Sequence, residues 1–190
     1  MKQTPERGER IILGIDPGTQ VMGYGLIQVE TRRLVLIEYG VFHLKKYREH
    51  ALKLKKIFER VQGIIDQHHP DEMALEAPFY GKNVQAMLKL GRAQGVAMAA
   101  GLAREIPITE YAPKKVKQSV TGNGNASKEQ VARMLKNLVV FPDHLEEESL
   151  LDASDALAVG LCHYYQEGRV QQRAGSWKAF VAENPDRTKF

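Results

Sequence analysis

The run Ile11-Ile12-Leu13-Gly14-Ile15-Asp16-Pro17-Gly18-Thr19 decides the fold. A short continuous apolar stretch, closed by an Asp-Pro-Gly turn, reads as a buried central strand. Two further strand-like runs, residues 24–29 and 34–44, are split by the polar stretch 30–33, so three antiparallel strands in a meander are expected. Leu54, Ile57, Phe58, Val61, Ile64 and Ile65 then recur at helical spacing, and His69-Pro70 should end that helix. Met73-Ala74-Leu75-Glu76 resembles another core strand, residues 84–104 a long helix, and residues 107–111 one more short strand. Gly91 and Gly95 on the long helix would let another element approach closely. Ser127 and Gln130 have capping-box spacing, and residues 152–165 form a last helix with Ala153, Ala156, Leu157, Gly160 and Leu161 at its small or apolar positions. Strands followed by alternating helix and strand give an α/β architecture, a mixed five-stranded sheet flanked by helices.

With 190 residues the chain has ample length for one buried core. Residues 11–165 are expected to form that domain, after an N-terminal extension at 1–10 and before a polar, mobile tail at 166–190. In the tail Trp177, Phe180 and Val181 have helical spacing, which suits a short helix docked on the domain or a partner-binding segment equally well.

The net charge of +4 is too mild to argue for a polyanionic partner. Its distribution says more: between Tyr111 and Lys136, six cations (Lys114, Lys115, Lys117, Lys128, Arg133, Lys136) face one acid, Glu129, a local excess of +5. Lys45-Lys46 and Lys53-Lys55-Lys56 read as solvated faces, the former with a possible role in holding DNA. The single cysteine, Cys162, excludes an intrachain disulfide and reads as a small core residue; the six scattered histidines lack zinc-site spacing. A charged N-terminus and the absence of any long apolar run point to a cytoplasmic protein with no membrane association.

Four carboxylates stand out. Asp16 ends a core strand, where α/β sheets commonly place their chemistry, although Asp-Pro-Gly is also ordinary turn chemistry. Glu76 directly follows three residues of a buried strand, where an acid is costly without a cation or a partner, unless the strand end reaches solvent. Asp152 and Asp155, three apart, share one face at the start of the last helix, where acids also favour the helix dipole. Taken together they suggest an oxygen-rich cage for magnesium, with two ions ~3.5–4 Å apart activating water and stabilising a leaving oxygen. Phosphodiester hydrolysis is the natural reaction.

The opening run, with Gly23-Tyr24-Gly25, resembles the first motif of the RuvC family of Holliday-junction resolvases. Three more blocks are similar, in order: Glu76 with Phe79, Lys82-Asn83 and Leu88-Lys89-Leu90-Gly91; Glu110-Tyr111-Ala112 to Val116-Lys117-Gln118; and Asp152-Ala153-Ser154-Asp155-Ala156-Leu157-Ala158. The resemblance implies a ribonuclease H-like fold, a homodimer, and symmetric paired nicking of four-way DNA junctions in recombination and repair. Magnesium would be the cofactor, with manganese able to substitute. Asp16, Glu76, Asp152 and Asp155 match the family's four acids. Lys117 and Lys128 match lysines near the scissile strand, and Phe79 matches an aromatic that contacts bases at the crossover. Lys82 and Lys114, inside or beside matched blocks, complete the expected DNA contacts. The resemblance also implies a preference for T-containing sites and cooperation with a branch-migration complex of the RuvA and RuvB type. The N-terminal extension, Glu146-Glu147-Glu148 and the tail depart from the pattern without removing a matched residue.

Two other readings compete. An actin-like ATPase or sugar kinase also uses an Asp-x-Gly-Thr hairpin to cradle phosphates, but needs a second lobe that this chain is too short to supply. A non-catalytic junction binder would carry the same acids and differ in having no nuclease activity.

Overall fold

The computed structural model describes residues 9–31, 33–78, 83–142 and 150–173, without the side chains of Leu150, Asp152 and 167–173. Phe79, Lys82, Glu146-Glu147-Glu148 and the aromatics of the tail lie outside the described residues. Ten elements follow one another: β1 (Arg10–Asp16), β2 (Val21–Val29), β3 (Leu34–His43), α1 (His50–His68), β4 (Glu72–Glu76), α2 (Val84–Leu102), β5 (Ile108–Tyr111), α3 (Pro113–Thr121), α4 (Lys128–Leu138) and α5 (Leu150–Arg173). The sheet order is β3-β2-β1-β4-β5, with β1 central, antiparallel to β2 and parallel to β4. This is the mixed five-stranded sheet expected from the pattern of runs.

Strand alternation splits the core in two. Leu13, Ile15, Met73 and Leu75 pack against α1 and α2 through Ile57, Val61, Ala93 and Ala97. Ile12 and Ala74 face the other way, onto Val116, Val131, Leu135, Leu157 and Leu161 of α3, α4 and α5. Fully burying a Leu or Ile side chain contributes about 1.5–3 kcal/mol, so a one-residue slip of β1 would forfeit both layers together.

Local signals explain most boundaries. α1 stops at His69, whose φ of 47° is left-handed, immediately before Pro70. The capping box of α4 is formed, Gln130 N–H donating to Ser127 Oγ and Ser127 N–H to Gln130 Oε1. Periodicity does not signal α3, a short helix with only Val116 and Val120 buried; Pro113 at its first turn and Gly122 at φ 76° delimit it. α5 continues to Arg173, eight residues beyond its expected end at 165. Gln166 explains part of that extension, because it is buried and donates to Ser119 Oγ of α3 at 3.2 Å. Gly91 and Gly95 differ from expectation too: a Cβ at either would meet nothing within 4 Å, so no described element of this chain uses the approach they permit.

Candidate active site

β1 and β4 run parallel in the register Ile12↔Glu72 to Ile15↔Leu75, which sets Asp16 beside Glu76 one step beyond the last pair. Both alternate with residues of the inward layer, so both carboxylates lie on the α5 side of the sheet. Asp155 is brought there by a close approach of backbones. Gly14 lies directly against the backbone of Ala156 and Gly160, and Gly25 makes room for the Leu157 side chain, so α5 seats closely on β1 and β2. Asp155 is thereby held over the ends of β1 and β4.

The electrostatics record the convergence. Burial first, then the negative charge of Asp155, raise the Asp16 pKa to about 6, against the opposing pull of Lys128. Burial, then Asp16 and Asp155, raise Glu76 to about 8, and Lys117 opposes them. The lysine frame is itself anchored: Lys128 Nζ is 3.4 Å from Asp155 Oδ2, and Lys117 Nζ donates to the Ala126 carbonyl at 2.9 Å. The loop between α3 and α4 tethers Lys117 of α3 through the Ala126 carbonyl and leads into Lys128, the first residue of α4.

Of the residues expected from the sequence, the structure brings Asp16, Glu76, Asp155, Lys117 and Lys128 near one another. Asp152 is on α5, nearly one turn before Asp155, and its side chain is outside the described residues. Lys114 sits exposed in the first turn of α3, apart from the acids. Among the described residues no three His, Cys, Asp or Glu side chains form a closed ligand set, so the three acids are in electrostatic contact and not in a tight cage. Their chemistry suits a hard divalent cation: oxygen donors, Asp16 and Glu76 half-buried, whose ionisation is opposed by one another until positive charge is supplied.

Two features escaped the sequence. Lys53, which its neighbours assign to a solvated face, donates to the Thr19 carbonyl at 3.1 Å and so touches the turn after Asp16. His163 is buried in a network, Nδ1 to Tyr111 Oη at 2.8 Å and Nε2 to Glu72 Oε2 at 3.1 Å, joining α5 to β4 and β5 below the acids. Neither has a sequence signal, because each depends on which face a distant element presents.

A mixed sheet of this order, with carboxylates gathered at the ends of β1 and β4 under a C-terminal helix, defines a nuclease of the ribonuclease H-like class. The structure of Thermus thermophilus RuvC in complex with a Holliday junction substrate is similar, with a TM-score of 0.72 at 28% identity, covering 84% of this chain and 96% of that one. The yeast mitochondrial Holliday junction resolvase shares the fold, with a TM-score of 0.65 at 12% identity over 90% of this chain and 83% of its own. The chain belongs to the RuvC family: the model of crossover junction endodeoxyribonuclease RuvC matches residues 12–163. Crossover junction endodeoxyribonuclease RuvC of Cytophaga hutchinsonii is 60% identical over 99% of this chain and 92% of its own length. That of Porphyromonas gingivalis is 55% identical over 95% and 98%. Among the described residues no helix is long and apolar enough to cross a membrane.

Proposed function

We propose that this protein is a structure-selective endonuclease that resolves four-way DNA junctions by paired symmetric nicks, in recombination and repair in the cytoplasm. The observation that carries the reading is the mutual electrostatic contact of Asp16, Glu76 and Asp155 at the strand ends, framed by Lys117 and Lys128. Asp16, Glu76, Asp152 and Asp155 are the residues that would hold magnesium, two ions per site, with manganese able to substitute. Bound there, the metal supplies an activated water and charge stabilisation for the leaving oxygen.

The chain's own groups do the rest. Glu76 must give up its proton to act as a donor, and the Lys117 charge favours that loss. Lys128 offsets the Asp155 charge and offers an ammonium to the scissile strand. Lys114 extends the basic edge. Phe79 and Lys82 follow Glu76 in the chain, and an aromatic ring there would stack on a base opened at the crossover, worth ~1–3 kcal/mol.

Paired nicks on a two-fold symmetric substrate call for two active sites, and the outer face of α2 suits a second copy of this chain. Val84, Leu88 and Leu102 are 64%, 53% and 60% exposed, and Gly91 and Gly95 open the same face to close approach. A branch-migration complex of the RuvA and RuvB type would deliver the junction.

The test is incubation of four-way and linear DNA of identical sequence with the protein, in magnesium and in EDTA. Paired nicks near the crossover in magnesium alone are expected. Asp16→Asn and Glu76→Gln should abolish cutting and retain junction binding. Equal cutting of linear DNA, or near-normal cutting by either variant, would overturn the reading.

A further inference from the structure

α1 and α2 lie side by side on the sheet face away from the acids, and both start at the end where β1 and β4 terminate. Their far ends are tied by Arg104, which donates from Nε and Nη2 to Asp66 at 2.7 and 2.9 Å. α1 and α2 are each nineteen residues long, about 28 Å at 1.5 Å per residue, so tying their far ends together brings His50 near the first turns of α2. Lys89 and Arg92 therefore stand beside His50 and Lys53 at the near end.

Three features of this spot favour an anion, and one acid, Glu49, opposes it. Lys89 and Arg92 are exposed, and His50 feels the positive charges of Arg92, Lys89 and Lys53 together. The first turn of α1 contains no acid; its N-cap, Glu49, makes no side-chain cap bond but places one carboxylate beside the positive end of this nineteen-residue helix. His50 Nε2 is shielded from solvent without a hydrogen-bond partner among the described residues. Lys53 links the group to the turn after Asp16 through the Thr19 carbonyl.

We propose that His50, Lys53, Lys89 and Arg92 form a second phosphate-binding surface, across the sheet from Lys117 and Lys128, that grips the backbone of a DNA arm passing over the strand ends. The inference rests on the junction-resolving reading for its substrate. A linear duplex can be held by one basic edge, whereas a branched substrate spreads its arms to both sides of the sheet. Cations on both flanks of the acids would then position the crossover between them.

The experiment is equilibrium binding of the full chain to labelled four-way and linear DNA in EDTA, across a salt series. Lys89→Gln with Arg92→Gln should weaken junction binding roughly tenfold or more near 0.1 M salt, and make the slope of log affinity against log salt shallower by about 1.8 for two lost contacts. The charge-keeping pair Lys89→Arg with Arg92→Lys should restore both. Since both residues are exposed, unchanged melting and sedimentation are expected. Wild-type affinity and slope in the neutralised pair would overturn the surface while leaving junction cleavage intact. A wild-type protein that binds linear and four-way DNA equally would overturn the junction reading, and its slope on linear DNA would still report whether the two residues meet phosphate.

Discussion

Gly14 on β1 and Ala156 on α5 meet backbone to backbone: a Cβ added at Gly14 would collide with the Ala156 carbonyl oxygen and come within 2.8 Å of the Gly160 amide nitrogen. Asp16 is two residues along from Gly14, and Asp155 is the neighbour of Ala156. This contact therefore sets the separation of two site carboxylates as well as the packing of the longest helix.

Gly14→Ala should push α5 from the sheet. Overpacking of this kind costs about 1–3 kcal/mol, or roughly 2–4 °C of melting temperature per kcal/mol at this chain length. Junction cleavage at a temperature where the variant is folded should fall further than stability alone explains, because Asp155 moves with the helix. Gly63→Ala on α1 is the control: nothing lies within 4 Å of its Cβ, so a stability gain of roughly 0.5–1 kcal/mol and unchanged cleavage are expected. Normal cleavage by Gly14→Ala would show that the contact does not set the site.

The two lysines lower the pKa values of the acids they face, so removing each should shift the pH dependence of cutting. Lys117→Gln removes the charge that opposes the rise of Glu76, and Lys128→Gln the one that opposes the rise of Asp16. In both variants the acidic limb of the cleavage profile should move to higher pH, since the acids ionise later. A profile that loses height without shifting would assign the lysines to DNA contact alone.

The fold was legible wherever period and punctuation agreed. The β1 run and the Ser127–Gln130 box each specify local geometry by themselves, and the structure contains both. α3 was not legible, because nine residues with two buried positions carry too little periodicity, although Pro113 and Gly122 mark its ends. The acids were visible as types at strand and helix ends, but their nearness depends on α5 docking through Gly14, Gly25 and Gly160, which no local pattern encodes. Lys53 shows the same limit: its spacing says surface, and only the placement of α1 against the Thr19 turn says which surface.

His163 offers a test of the layer beneath the acids. Burial lowers its pKa, with Glu72 opposing, so the ring is neutral in the folded protein at pH 7. A carboxylate can only accept, hence Nε2–H donates to Glu72 and Nδ1 accepts from the Tyr111 hydroxyl. Tyr111→Phe deletes that donor at a cost of about 1–3 kcal/mol, read as a lower melting temperature. Because the folded pKa lies below the unfolded one, the ring's contribution to stability is lost as pH falls below about 6.5. A Tyr111→Phe protein as stable as the parent at pH 7 would remove this bond from the account.

The carboxylates make an opposite prediction for the metal-free protein. Asp16 rises from 3.8 to about 6 and Glu76 from 4.5 to about 8, so the folded chain holds these protons more tightly than the unfolded chain does. Their contribution is fully present below the unfolded values and is lost as pH rises through about 6 and then about 8. Glu76→Gln carries no charge to repel Asp16 and Asp155, so in EDTA it should melt above the parent at pH 9 and close to it at pH 4. Magnesium should reverse the order, because a cation that binds the ionised acids stabilises the parent by mass action and has lost a donor in the variant. Melting curves of both proteins at pH 4, 7 and 9, with magnesium and with EDTA, read every part of this. Equal melting temperatures in EDTA at pH 9 would mean that Glu76 is not held against like charge, and the metal-holding role assigned to the strand ends would fall with it.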